Sequence, residues 1–249
     1  MADPSGRPDH AFPEVQREGL YRAIFERRDV RAQFRPEPIP PEVLARLLEA
    51  AHHAPSVGFM QPWDFLLIDD RAVRSRVHAI FERENAKAAE AHAGERGALY
   101  RRLKLEGILE SPMNLCITCD RERGGEHVLG RQSIVEMDLF STCLAVQNLW
   151  LAARAEGIGV GWVSILDQQE LAEVLGLPEH VYPLAYLCLG YVDDFLEAPE
   201  LARAGWRQRL PLSDRVHGNG WRTLPADAAL TRAVDALAPP TVRTPACRR

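Results

Sequence analysis

Residues 27–31 read Arg27-Arg28-Asp29-Val30-Arg31, four formal charges in five positions directly after an apolar stripe of Leu20, Ile24 and Phe25. Three guanidiniums so close together suit an anion such as phosphate, which their forked donors can meet bidentately. The same run also reads as the solvated C-terminal end of a helix, where the helix dipole favours cations whether or not anything binds. Asp29 among these arginines is expected to be ionised; it either accepts protons and orients a hydroxyl, or only pairs with its neighbours. Arg203, Arg207 and Arg209 offer a second local cationic cluster.

Other residue pairs with chemical potential are weaker. Cys116 and Cys119 spell a CxxC within a stretch, Asn114 to Asp120, that reads as a strand, where residues three apart point to opposite faces and cannot share a metal. A redox CxxC would open a helix instead. His52 and His53 are adjacent on a helix and face different directions, so no metal site is expected. The glycines at 157, 159 and 161 follow a helix and precede a strand, the reverse of a dinucleotide-binding turn, so a nucleotide-like ligand must be held by side chains.

The elements that must position these residues follow from periodicity and punctuation. A helix is expected over residues 15–28, and a second from Pro40-Pro41 with Val43, Leu44, Leu47, Leu48 and Ala51 at helical spacing. Phe65 to Ile68 reads as a buried strand, and Asp69 or Asp70 caps a helix running toward Glu90. Residues 91–110 are charged, alanine-rich and broken by Gly94, Gly97 and Gly107, which reads as a mobile lid or as a plain solvated helical excursion. Ser133 and Glu136 have capping-box spacing and open a long helix to Glu156, apolar around nearly its whole circumference. Such a helix is either central in the core or packed across a dimer interface. A strand over 157–163, a helix capped by Asp167 and stopped by Gly176, a strand over 185–192 and a short helix within 226–237 complete the chain.

This order is a mixed α+β pattern around a sheet of four or five strands, without internal repeats. The chain of 249 residues is 46% hydrophobic, enough for a sizeable core, and its net charge of −5 argues against a nucleic-acid or anionic-membrane partner. Residues 1–14 read as a disordered leader without a secretory signal, residues 15–221 as the folded domain and 222–249 as a tail. No run approaches the roughly 20 apolar residues of a membrane span. A cytoplasmic protein with five reduced cysteines is expected.

Five segments together carry a resemblance. Arg27-Arg28-Asp29-Val30-Arg31, the run from Ala54 to Trp63 (APSVGFMQPW), the run from Gly157 to Ser164 (GIGVGWVS), Leu189-Gly190-Tyr191, and Arg207-Gln208-Arg209-Leu210-Pro211 resemble in order and spacing the flavin-binding segments of the nitroreductase superfamily. Asp29, the Gly58-Phe59-Met60 turn and Gly161-Trp162-Val163-Ser164 resemble more closely its BluB branch, the 5,6-dimethylbenzimidazole synthases. The resemblance covers about residues 15–221. It implies a nitroreductase-like mixed central sheet flanked by helices, in a homodimer with a buried central helix at the interface and two FMN sites built from both chains.

By the same resemblance FMN is bound by Arg27, Arg28, Asp29, Val30, Arg31, Ser56, Met60, Gln61, Gly161, Ser164, Leu189, Gly190, Arg207 and Arg209. Arg27, Arg207 and Arg209 meet the phosphate, Arg31 the pyrimidine edge, and Ser56 and Gln61 come from the neighbouring subunit. Asp29 and Ser164 are the catalytic candidates, with Ser164 near flavin N5 behind a strand of small residues that lets the ring approach. Phe59 and Met60 wall off the ring and leave little room for nicotinamide. The implied reaction consumes reduced FMN with O2 and yields 5,6-dimethylbenzimidazole, the lower ligand of vitamin B12, and erythrose 4-phosphate. A separate flavin reductase spends NAD(P)H to supply the reduced flavin. An NAD(P)H-dependent FMN nitroreductase or dehalogenase-like enzyme, and a flavin-binding protein without chemistry, are the competing readings.

Overall fold

The computed structural model describes residues 10–237; the outermost parts of the expected leader and tail lie outside the described residues. Two compact units divide at Glu197 and Ala198.

The first unit is a four-stranded sheet with helices on both faces. Its strands are β1 (Trp63–Ile68), β2 (Met113–Asp120), β3 (Ile158–Val163) and β4 (Val181–Tyr191), in the spatial order β1-β2-β4-β3. All three ladders are antiparallel, and the parallel component of the sheet is a single bridge from Asp29 to Val160. The helices are α1 (Glu14–Glu26), α2 (Pro41–His52), α3 (Arg71–Glu90), α4 (Gly94–Tyr100), α5 (Met137–Ala155) and α6 (Gln168–Leu175).

Strand alternation builds two cores. Ala185, Leu187 and Leu189 of β4 join Leu115, Ile117, Leu47 and Leu149 on the face covered by α2 and α5. Tyr186 and Cys188 face the other way, with Val77, Ile80, Phe81 and Leu171 of α3 and α6. Cys116 lies in this second core, whereas Cys119 bonds Thr142 of α5, so the CxxC thiols do take opposite faces. Burial pushes the Cys116 thiol up to about 12 and that of Cys119 up to about 11, which makes both inert packing groups.

Local signals worked where a side chain could satisfy helix-end donors. Asp70 accepts the Ala72 amide, Asp167 accepts that of Glu170, Pro41 opens α2, and Gly176 ends α6 with φ of 68°. Two boundaries move. Residues 27–31 are not the end of α1, because Arg27 is already extended and Asp29 bridges to β3. Helix α5 begins at Met137, one turn after Ser133, and the capping box does not form. Buried Asp138 organises that end instead, accepting the Leu139 amide and pairing with Arg121 Nε at 2.9 Å. Only one side of α5 is buried; Phe140, Cys143 and Leu144 face outward.

The second unit contains α7 (Glu200–Arg203), a 3-10 turn (Ser213–Arg215) and α8 (Ala228–Ala236), the last capped by Asp227 and packed on that turn. Its loop is held by Gly218 N–H to Thr223 O and by a His217–Trp221 ring contact.

Candidate flavin site

Strand β3 is an edge strand, so one row of its backbone groups would be unpaired without a partner. Residues 29–30 supply that partner. The Val30 amide donates to Val160 O at 3.0 Å, and the Trp162 amide donates to Asp29 Oδ1 at 3.0 Å. The Asp29 side chain thus continues the ladder where the backbone leaves it. Its other oxygen, Oδ2, accepts from Arg31 Nε at 3.0 Å and Nη2 at 2.5 Å. Three of about four acceptor positions of the carboxylate are filled, and with the side chain 32% exposed one remains for a ligand. Ser164 lies exposed just past the end of β3, two residues beyond the strand residue that binds Asp29.

The glycines of β3 serve this junction. A Cβ on Gly161 would stand 2.0 Å from Val30 O, and one on Gly159 would stand 3.0 Å from Val30 Cγ2. The expected close approach is therefore made by the chain's own 29–30 segment, and the space beside Gly161 is filled by Val30. Val30 itself is buried with its amide used, so it packs the junction.

The three arginines have different fates. Arg28 spends its guanidinium on carbonyls, donating to Leu196 at 2.8 Å, Glu197 at 2.6 Å, Phe25 at 2.9 Å and Arg27 at 2.8 Å, which makes it a chain clamp. Arg31 is shared between Asp29 and the Lys104 carbonyl, with its side chain only 12% exposed. Arg27 lies 4.9 Å over the Trp150 ring, and among the described residues no carboxylate stands within ion-pair distance of it. A half-buried cation on an aromatic face without a counter-ion is the group here that fits an FMN phosphate. Trp150 also donates to Arg28 O at 3.2 Å and packs near Trp162, so a tryptophan not singled out in the sequence joins one from the Gly161–Ser164 segment in framing the cluster.

A second cluster lies in the turn Val57–Phe59 and its flanks. Ser56 Oγ accepts the Gln61 amide at 3.0 Å, and Ser141 Oγ accepts the Val57 amide at 3.1 Å. Gly58, Phe59 and Gln61 all have positive φ, a costly arrangement for the two that are not glycine. Arg123, unremarked in the sequence, braces it by donating to Gln61 O and Trp63 O at 3.0 Å each and to Asp64 at 2.7 Å. The turn exposes Phe59 almost fully and buries Met60.

Leu189 and Gly190 occupy packing positions. The Leu189 side chain is fully buried in the α2/α5 core, and a Cβ on Gly190 would strike Pro112 Cδ at 2.5 Å and Phe34 at 3.1 Å. Both lie inside the sheet, in a strand paired on either side. Arg207 and Arg209 are exposed residues of the second unit.

This chain belongs to the nitroreductase family, whose family model matches residues 24–191 and so spans the Asp29 junction and all four strands. Among its relatives, the 5,6-dimethylbenzimidazole synthase of Rhodospirillum rubrum is 45% identical over 200 residues, covering 80% of this chain and 94% of that protein. A protein of the same name from Rhodobacter capsulatus is 40% identical, covering 80% and 96%. In structure the chain is similar to an oxidised iodotyrosine deiodinase solved with FMN and 3-iodo-L-tyrosine, at a TM-score of 0.64 and 24% identity, covering 81% of this chain and all of that one.

Proposed function

We propose that this chain is a 5,6-dimethylbenzimidazole synthase, consuming reduced FMN and O2 to form 5,6-dimethylbenzimidazole and erythrose 4-phosphate. The observation that carries the reading is the Asp29 carboxylate fixed on the edge of β3 with one acceptor position free. A site that only held a flavin phosphate would gain nothing from a carboxylate beside its arginines, and the names of the relatives at 40–45% identity point the same way.

In this reading Arg27, seated on Trp150, takes the phosphate, and Arg31 presents positive charge toward the ring, where it stabilises developing anionic character. Asp29 orients a ribityl hydroxyl and accepts a proton from that chain, while Ser164 faces the reacting edge of the ring. Reduced FMN supplies both the electrons for O2 and the carbon skeleton of the product. Exclusion of water falls to Phe59, Met60 and part of the 91–110 segment acting as a lid.

The active form is a homodimer whose sites take Ser56 and Gln61 from the partner copy. Supporting this, Phe140 and Leu144 continue outward into a shallow apolar depression of about 200 Å³ beside Pro55 and Val57. A flavin reductase spends NAD(P)H to deliver the reduced flavin, and the setting is cytoplasmic. The four described cysteines are free thiols, and no helix among the described residues is long and apolar enough to cross a membrane.

The test mixes purified protein, FMN, NADH and a separate flavin reductase in air and identifies products by mass. Benzimidazole formation with loss of FMN, abolished by Asp29→Asn, is expected. NADH oxidation with FMN intact would make the protein a conventional nitroreductase; FMN binding without turnover would make it a carrier.

A further inference from the structure

The turn after α4 contains a carboxylate that the proposed chemistry does not use. Glu106 is 5% exposed, and a carboxylate so far from water needs charge and hydrogen bonds around it. Lys104 Nζ pairs with Glu106 Oε1, the Ile108 amide donates to Oε2 at 2.7 Å, and His78 Nε2 stands 3.9 Å from Oε1. One side chain therefore closes residues 104–108 into a fixed turn.

That turn is locked from beneath as well. Arg74 of α3, itself buried, donates to Ile108 O at 2.6 and 3.0 Å and to Ser111 O. Asn114 donates to Ser111 Oγ at 2.7 Å and accepts from the Tyr186 hydroxyl at 2.8 Å. The upper side of the turn touches the Asp29 junction: the Lys104 carbonyl accepts Arg31 Nη1 at 3.2 Å, and a Cβ on Gly107 would lie 2.8 Å from Arg31 O.

We propose that Glu106 is a positioning residue of the flavin site: by closing the 104–108 turn it aims the Lys104 carbonyl at Arg31, and so sets the orientation in which Arg31 holds Asp29 and faces the ligand. Each step, from Glu106 through Lys104 and Arg31 to Asp29, is a direct contact. The inference rests on the reading that residues 27–31 hold a flavin.

A double-mutant cycle on the full-length protein tests it, with binding of oxidised FMN as the readout. Glu106→Ala and Arg31→Lys are made singly and together; lysine keeps the charge at 31 and removes the fork that meets both Asp29 and Lys104 O. Glu106→Ala is expected to weaken FMN binding about fivefold in the otherwise native chain and by less than about twofold beside Arg31→Lys, as coupled residues behave. Equal losses in both backgrounds would mean general loosening of the fold and overturn the proposal, as would unchanged binding in the native background. If Glu106→Ala does not fold, Glu106→Gln, which keeps an acceptor for the Ile108 amide and removes the ion pair, runs the same cycle with the same criteria. The titration needs no turnover, so absence of benzimidazole from the native protein would end the synthase reading without touching this result.

Discussion

The division of labour within residues 27–31 is decided by which guanidinium already has acceptors. Arg28 is saturated by carbonyls and Arg27 is not, so the two adjacent arginines should behave oppositely. Arg27→Met is expected to weaken FMN binding about tenfold or more, the scale of a charge-assisted phosphate contact, with little change in melting temperature. Arg28→Met should lower stability by about 0.5–1.5 kcal/mol as partly exposed carbonyls lose their donor to the 196–197 segment, and leave the affinity of the folded protein nearly unchanged. Isothermal titration and thermal melts on the same preparations separate the two. Gly161→Ala is the sharpest single test of the junction: its methyl would meet Val30 O at 2.0 Å, and both are backbone-anchored, so a loss above about 2 kcal/mol is expected in a denaturant melt. At this scale the sequence revealed the charge of the cluster and the need for a small residue in β3. It could not say what fills the space, because a strand glycine reports close approach and not the identity of what approaches.

Among the elements, caps and turn residues were legible because their chemistry is local, as Asp70, Asp167 and Gly176 illustrate. The late start of α5 was not, since it is decided by Asp138 meeting Arg121 from a loop rather than by Ser133. The 91–110 segment divides for the same reason: its last residues, 104–110, are held by partners on α3 and the 27–31 run that no local pattern reveals. Any lid movement in our proposal therefore belongs to the part before Lys104. The pH response of this turn follows from its ions. Desolvation raises the Glu110 carboxyl, but the bond from Lys104 at 2.6 Å, the Lys104 charge, a backbone hydrogen bond and the charge of His78 together outweigh it and hold the group below its ordinary value. Its contribution is present above the usual carboxylate range and is lost as pH falls through the lowered value. Desolvation likewise lowers Lys104, bonds to Glu106 and Glu110 outweigh it, and the raised group contributes below the usual lysine range and is lost as pH rises through its raised value. The protection of the amides of residues 104–111, taken relative to their intrinsic exchange rate at each pH, is accordingly expected to be greatest between these limits and to fall on either side.

For the molecule as a whole, the α+β class and the order of elements were readable from periodicity, whereas the compactness of the unit that begins at Ala198 rests on contacts that no local pattern reveals. The outward apolar side of α5 is the large-scale feature the sequence anticipated only as one of two choices. Leu144→Glu, on that exposed face, is expected to leave the monomer folded while shifting light scattering from a dimer mass to a monomer mass, with FMN affinity falling in parallel; a dimer mass retained in the variant would move the interface elsewhere. The hydrogen bond between Asp29 and Trp162 joins positions 133 residues apart in sequence. Most of this unit must therefore leave the ribosome before the arginine cluster has its edge strand, and ends that far apart meet slowly. A nascent chain stopped after α5 carries every charge of the cluster and nothing to seat it on, so flavin capture is expected to be among the last properties the protein acquires during synthesis.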